Sequence, residues 1–168
     1  GRPAYICGIA RDASSRKHMR DALIDSEKRF RTIFEGSLEG ILLADAETRK
    51  LSMPNPRICQ MMGYSPDEFE NMTMEDNHPP EALPRLKQEF ERQVRGKGAT
   101  VFDVPVRRKD GSVFHADVSS MQVELDGRLY LAGFFHDVSE RKQAEDRLKR
   151  SEQRFRLAAQ AVTDIIYE

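Results

Sequence analysis

The chain has 168 residues, enough for one domain with its connecting segments and a substantial core. Its 27 basic and 28 acidic residues nearly cancel, so neither a nucleic-acid partner nor direct contact with an anionic membrane is expected. The longest apolar run, Leu129 to Phe135, is far too short to cross a bilayer, and Cys7 and Cys59 lack CxxC or metal-ligand spacing, which suits a reducing cytoplasm.

Residues 5–31 and 130–156 repeat one another 125 residues apart. Tyr5, Gly8, Asp12, Ser14, Arg16 and Lys17 recur as Tyr130, Gly133, Asp137, Ser139, Arg141 and Lys142, and identities continue to Arg31 and Arg156. A fixed period sets the unit of architecture. What recurs is a strand end running into a charged helix. Residues 1–12 therefore read as the last strand of a preceding module, 13–35 as a linker and cap helix, and 36–137 as the core of one whole module. Residues 138–160 read as a second linker helix, and 161–168 as the start of the next module.

In the first helical segment, Met19, Leu23, Ser26, Phe30 and Ile33 fall at alternating steps of 4 and 3, a narrow apolar seam on a charged helix. Ala144, Leu148, Ser151, Phe155 and Ala158 form its counterpart. Helices of this length are marginal alone in water, so each seam needs a partner, either its own domain's sheet or a second copy in a parallel coiled coil.

Gly40–Asp45 predicts a short buried strand and Lys50–Met53 a second. Asn55-Pro56 breaks the pattern before a helix over Arg57–Met62, which Gly63 ends. Ser65-Pro66-Asp67-Glu68 is a helix start with a capping box. After an irregular stretch from Asn71 to Pro80, Glu81–Val94 predicts a helix with Leu83, Leu86, Phe90 and Val94 on one face. Two alternating runs, Phe102/Val104/Val106 and Phe114/Ala116/Val118, flank Asp110-Gly111, and Asp126-Gly127 precedes the run Leu129–Phe135. Asp-Gly between such runs signals hairpins. The expected fold is α+β: a five-stranded antiparallel sheet with helices on one face, flanked by N- and C-terminal linker helices.

At this point the chain resembles a PAS domain with its C-terminal PAC motif, over about residues 26–142. Asn55-Pro56 followed by Gly63-Tyr64-Ser65 is similar to the family's N-P…G-Y-[ST] segment, and His78-Pro79 to its H-P step. Arg108-Lys109-Asp110-Gly111 resembles the R-K-D-G hairpin, and Asp137-Val138-Ser139-Glu140-Arg141-Lys142 the D-I-T-E-R-K exit. Physically, Asp137 is placed to cap the outgoing helix, with Glu140 completing a capping-box pattern. The resemblance implies that Asp137, Ser139, Glu140 and Arg141 form a signal-transmission joint.

No catalytic constellation is present: the four histidines are scattered, and no nucleophile motif or glycine-rich phosphate loop occurs. The chain is not expected to be an enzyme, and the resemblance implies a parent histidine kinase, or else a diguanylate cyclase or phosphodiesterase. PAS domains commonly hold a small molecule between sheet and long helix. Alternation gives a candidate pocket of Met61, Leu83, Leu86, Phe90, Phe102, Val104, Val106, Phe114, Ala116, Val118, Leu131, Gly133 and Phe135, almost wholly apolar. No cofactor is predicted, though an unknown small molecule fits the reading. Flavin is disfavoured because the stretch matching the family's reactive-cysteine segment, Glu70–Glu75, has no Cys, and Val106, Ala116 and Phe135 stand where amides hold a flavin. Haem is disfavoured because Glu81–Val94 contains no His. Met61, Met62, Met72 and Met74 read as adaptable core filler rather than metal ligands, so no metal is expected.

The sequence thus predicts a cytoplasmic sensory or relay module in a tandem-PAS bacterial sensor, with adjacent PAS modules and an output domain in cis and a homodimer through the linker helices. The alternative is a ligand-free structural and dimerisation spacer.

Overall fold

The apolar run Gly-Ile-Leu-Leu-Ala-Asp forms strand β1 (Gly40–Asp45), flanked by a strand on each side. The computed structural model describes the backbone of residues 4–97 and 100–166 and the side chains of 15–97 and 100–156. The sheet has the order β2-β1-β5-β4-β3, with β2 at Leu51–Ser52, β3 at Thr100–Arg107, β4 at Val113–Leu125 and β5 at Arg128–Asp137. Every pairing is antiparallel, as the two Asp-Gly signals require. At the β4–β5 turn Asp126 and Gly127 take φ of 50° and 72°, the left-handed pair of a tight two-residue hairpin.

Between β2 and β3 the chain crosses one face of the sheet in helices α2 (Pro56–Met62), α3 (Pro66–Phe69) and α4 (Leu83–Val94), the last entered through a single 3₁₀ turn at Pro80–Ala82. Gly63 ends α2 at φ 80°, the left-handed conformation that glycine adopts without a Cβ penalty. Ser65 starts α3 with both halves of the capping box: Glu68 N–H donates to Ser65 Oγ, and Ser65 N–H to Glu68 Oε2 at 2.9 Å. The core gathers Ile58, Met61, Met62, Phe69, Met72 and Met74 against Val106, Phe114 and Ala116.

Asn55 does more than break a pattern. Its Oδ1 accepts from Ile58 N at the start of α2 and from Ile41 N on β1, both at 2.9 Å. Its Nδ2 donates to Glu39 O at 3.0 Å, and its backbone N–H to Ile41 O at 2.9 Å. Asn55 therefore continues the β2 side of the ladder beyond the last residue of β2 and welds α2 to β1.

Strand β3 departs from the expected alternation. Val101 pairs with Val118 and Val104 with Ala116, so three steps on β3 oppose two on β4. The extra residue is a β-bulge, with Asp103 at φ 55°. The bulge reverses the parity of everything before it: Val101 turns inward, and Phe102, expected inside, is 65% exposed.

The flanking helices form α1 (Ala4–Glu35) and α5 (Ser139–Ile166). A strand is expected within residues 1–12, but from Ala4 onward these residues are helical, in α1. A strand needs a neighbour to satisfy its backbone, whereas a helix satisfies it internally. The segment Gly1–Leu38 and the segment Glu39–Glu168 are separate compact units. Within α1, Phe30 stacks on Phe34 with centroids 5.4 Å apart, and Glu27 pairs with Arg31 at 2.7 Å. Met19, Leu23, Phe30 and Ile33 are exposed, as are Leu148 and Phe155 on α5. Ala158 lies outside the described side chains. Among the described residues, no helix is long and apolar enough to cross a membrane.

Candidate functional site

Between the inner face of the sheet and α4 lies a cavity of about 80 Å³. Leu86, Glu89, Phe90 and Gln93 face it from α4 at helical spacing, and Leu42, Ala44 and Leu51 from β1 and β2. Val101 and Val104 contribute from β3, Val118 and Ser120 from β4, and Leu131, Gly133 and Phe135 from β5. Met74, Asn77 and His78 complete the lining.

Of the residues expected to line a pocket, Leu86, Phe90, Val104, Val118, Leu131, Gly133 and Phe135 surround this space. Met61, Val106, Phe114 and Ala116 point to the same side but are packed solid in the neighbouring core, where α2 and α3 fill the volume. Leu83 is half-buried near the start of α4 and Phe102 is turned out by the bulge, so neither lines the cavity.

Where an almost wholly apolar wall is expected, Asn77, His78, Glu89, Gln93 and Ser120 belong to it. Ser120 and Gln93 satisfy one another, the Ser120 hydroxyl donating to Gln93 Oε1 at 3.0 Å. His78 Nδ1 lies 2.8 Å from Pro105 O, so that nitrogen carries the proton and Nε2 the lone pair. Burial pushes the His78 pKa down and the Arg107 charge adds to this, against the pull of the Pro105 carbonyl, so the ring is neutral at physiological pH. Asn77 is the exception: among the described residues its Nδ2 meets the Met62 sulfur at 3.7 Å and its Oδ1 is buried without a partner. A buried acceptor left so costs about 1–3 kcal/mol.

The exit joint is built around the same sheet. Asp137 Oδ1 accepts from Ser139 N–H at 2.9 Å, so it caps α5 two residues on; Glu140 takes no part in the bond. Ser139 Oγ accepts from His115 N–H at 3.4 Å, and Val138 N–H donates to His115 O at 2.9 Å. Arg141 pairs with Asp117 at 3.0 Å. Arg108, 4.1 Å over the Phe114 ring, reaches Asp137 at 3.7 Å.

Sequence reasoning missed a further grip on the helix. At the bulge, the Asp103 carboxylate takes Lys142 Nζ from α5 and His115 Nδ1 at 2.6 Å, while Asp103 N–H donates to Asp117 Oδ1 at 3.0 Å. The Lys142 ammonium holds the Asp103 carboxyl below the usual carboxylate range and His115 adds to this, against a contribution from burial. No motif links Asp103 to Lys142 across the intervening residues. Among the described residues, no group of three or more His, Cys, Asp or Glu stands where it would hold a metal ion.

An antiparallel sheet covered on one face, a cavity beneath α4 and a strand welded to an outgoing helix define a small α+β module. Residues 53–134 match the family model described as PAS fold. The chain is 28% identical over 144 residues to the methyl sulfide methyltransferase-associated sensor of Methanosarcina acetivorans, covering 84% of this chain and 14% of that protein. It is 31% identical over 135 residues to the sensor histidine kinase TmoS of Ectopseudomonas mendocina, covering 79% of this chain and 14% of the kinase. The PAS domain of an HTR-like protein from Haloarcula marismortui superposes with a TM-score of 0.59 at 22% identity, covering 72% of this chain and 98% of that one. The chain carries a PAS sensory domain, matched over residues 53–134. It spans 14% of the length of each of those two relatives.

Proposed function

We propose that this PAS module relays the state of its cavity to α5 through the bulge in β3. The observation that carries the reading is the shared strand: Val101 and Val104 form cavity wall, and Asp103 between them holds Lys142. A ligand or neighbouring module that shifts β3 therefore pulls on the first turn of α5. The joint residues Asp137, Ser139 and Arg141 give that turn its other anchors. Catalysis is left to an output domain elsewhere in a cytoplasmic multi-domain sensor, a histidine kinase before a cyclic-dinucleotide enzyme, with further PAS modules on either side. The resemblance to a sensor histidine kinase supports that order.

The test needs no ligand. Val104→Phe pushes a ring into the cavity, and amide exchange is read at residues 139–142. Asp103→Gly removes the carboxylate while keeping a residue that adopts positive φ freely, so the bulge survives. Exposed ion pairs contribute roughly 0.2–1 kcal/mol each, so Asp103→Gly is expected to raise exchange there about fivefold. Val104→Phe is expected to change exchange at residues 139–142 in the parent and to leave it unchanged in the Asp103→Gly background. An equal response in both backgrounds rules out the bulge as the route.

A second reading, dimerisation through the linker helices, is supported by the exposed seam, with Leu148 61% and Phe155 76% exposed. On that reading Leu148→Asp converts a dimer to a folded monomer in sedimentation, with an unchanged melting temperature. A variant that unfolds, or that sediments as the parent does, contradicts it.

A further inference from the structure

We infer that the cavity takes a small uncharged molecule carrying a hydrogen-bond donor, of the class of short-chain alcohols and primary amides. The inference rests on the proposal that this cavity is the sensing site, and it names what such a site would recognise. Asn77 is 1% exposed and lines the cavity, and its Oδ1 is buried with no partner among the described residues. The orientation of its amide follows from Met62, because a thioether only accepts and so draws the NH₂ toward itself, leaving the carbonyl oxygen for an occupant. His78 adds no donor to the wall, its proton being committed to Pro105 O. The occupant must therefore donate.

Charge is excluded by the rest of the lining. Neither Lys nor Arg belongs to it, so a carboxylate would enter without a counter-ion. The one carboxylate in the wall, Glu89, is already paired with Arg92, whose Nη1 donates to both oxygens at 2.9 Å, so its charge is compensated without a cationic occupant. Size favours a small occupant. A dry cavity of about 150 Å³ holds benzene. This one, at about 80 Å³, is roughly half as large and suits about three or four non-hydrogen atoms. The apolar remainder, Leu42, Leu86, Phe90, Val104 and Leu131, fits a short alkyl body.

The experiment is a titration of the 168-residue chain, followed by two-dimensional amide NMR, with four size-matched probes: n-propanol, acetamide, acetate and methoxyethane. The alcohol and the amide are expected to give saturable shifts centred on Asn77, Val104 and Gly133. Acetate, which is charged, and methoxyethane, which lacks a donor, are expected to bind at least about tenfold more weakly, as sites with an unpaired buried polar group discriminate. In Asn77→Leu, of similar volume, the alcohol and the ether should bind equally. Methoxyethane binding the unmodified chain as tightly as n-propanol overturns the donor requirement without any variant. Acetate binding best overturns the neutral class. Shifts that stay linear for every probe assign the cavity to water and remove the inference. The bulge reading is decided separately by Val104→Phe, so a failed panel leaves it standing.

Discussion

Replacing Asn55 with alanine is expected to destabilise the module by about 3–5 kcal/mol, more than a helix cap alone contributes. A lost cap costs about 1 kcal/mol. Here the same side chain also satisfies Ile41 N–H and Glu39 C=O, and Asn55 itself has no exposed surface. Each buried backbone group left unpaired adds about 1–3 kcal/mol. Urea unfolding measures the effect: the midpoint should fall with an unchanged m-value, since the folded surface is the same. A loss under about 1 kcal/mol would mean that water replaces the side chain at all three positions and that the weld between α2 and β1 is dispensable.

Gly40→Val is expected to cost about 3 kcal/mol, at the upper end for overpacking. A Cβ at residue 40 would lie 2.5 Å from Ile58 Cδ1, 3.0 Å from Met61 Sδ and 3.2 Å from Ile58 Cα. The last of these is backbone, so a rotamer change does not relieve it. Helix α2 must retreat, yet its N-terminus is tied through Asn55 to Ile41, the very next residue. The strain is therefore trapped between a contact and its neighbouring tether. A double-mutant cycle with Ile58→Ala checks this, because removing the obstructing side chain should return part of the loss for Gly40→Ala. Additive losses would place the damage elsewhere.

Most of the fold was legible because its signals are local. Asp126-Gly127 needs no distant partner to specify a hairpin, and Ser65 to Glu68 closes its capping box within one turn. The pattern of inward residues on β4 and β5 follows from alternation alone, which also reaches Ser120. Alternation fails where the chain inserts a residue. Thr100–Arg107 reads evenly as Phe102, Val104, Val106, and nothing local marks Asp103 as left-handed, since the reason lies in Asp117, His115 and Lys142. The polar part of the cavity was missed for a related cause. A count of apolar positions passes over Gln93 and Asn77, although Gln93 shares a helix face with Phe90. The N-terminal segment repeats a strand's sequence, but the strand's pairing partners are not among its local neighbours, and the helix prevails.

The pairing of β1 with β5 has an evolutionary corollary. Gly40 lies opposite Phe135, so the polypeptide enters and leaves the domain side by side, at one end of two neighbouring strands. A unit with adjacent ends can be spliced into an existing chain, or copied in series, without remaking its interior. The 125-residue echo between Gly8 and Gly133 is the imprint expected of such copying. In a lineage built this way the cavity of each copy is free to diverge, whereas the stretch from the last strand into the helix must stay compatible with its neighbours.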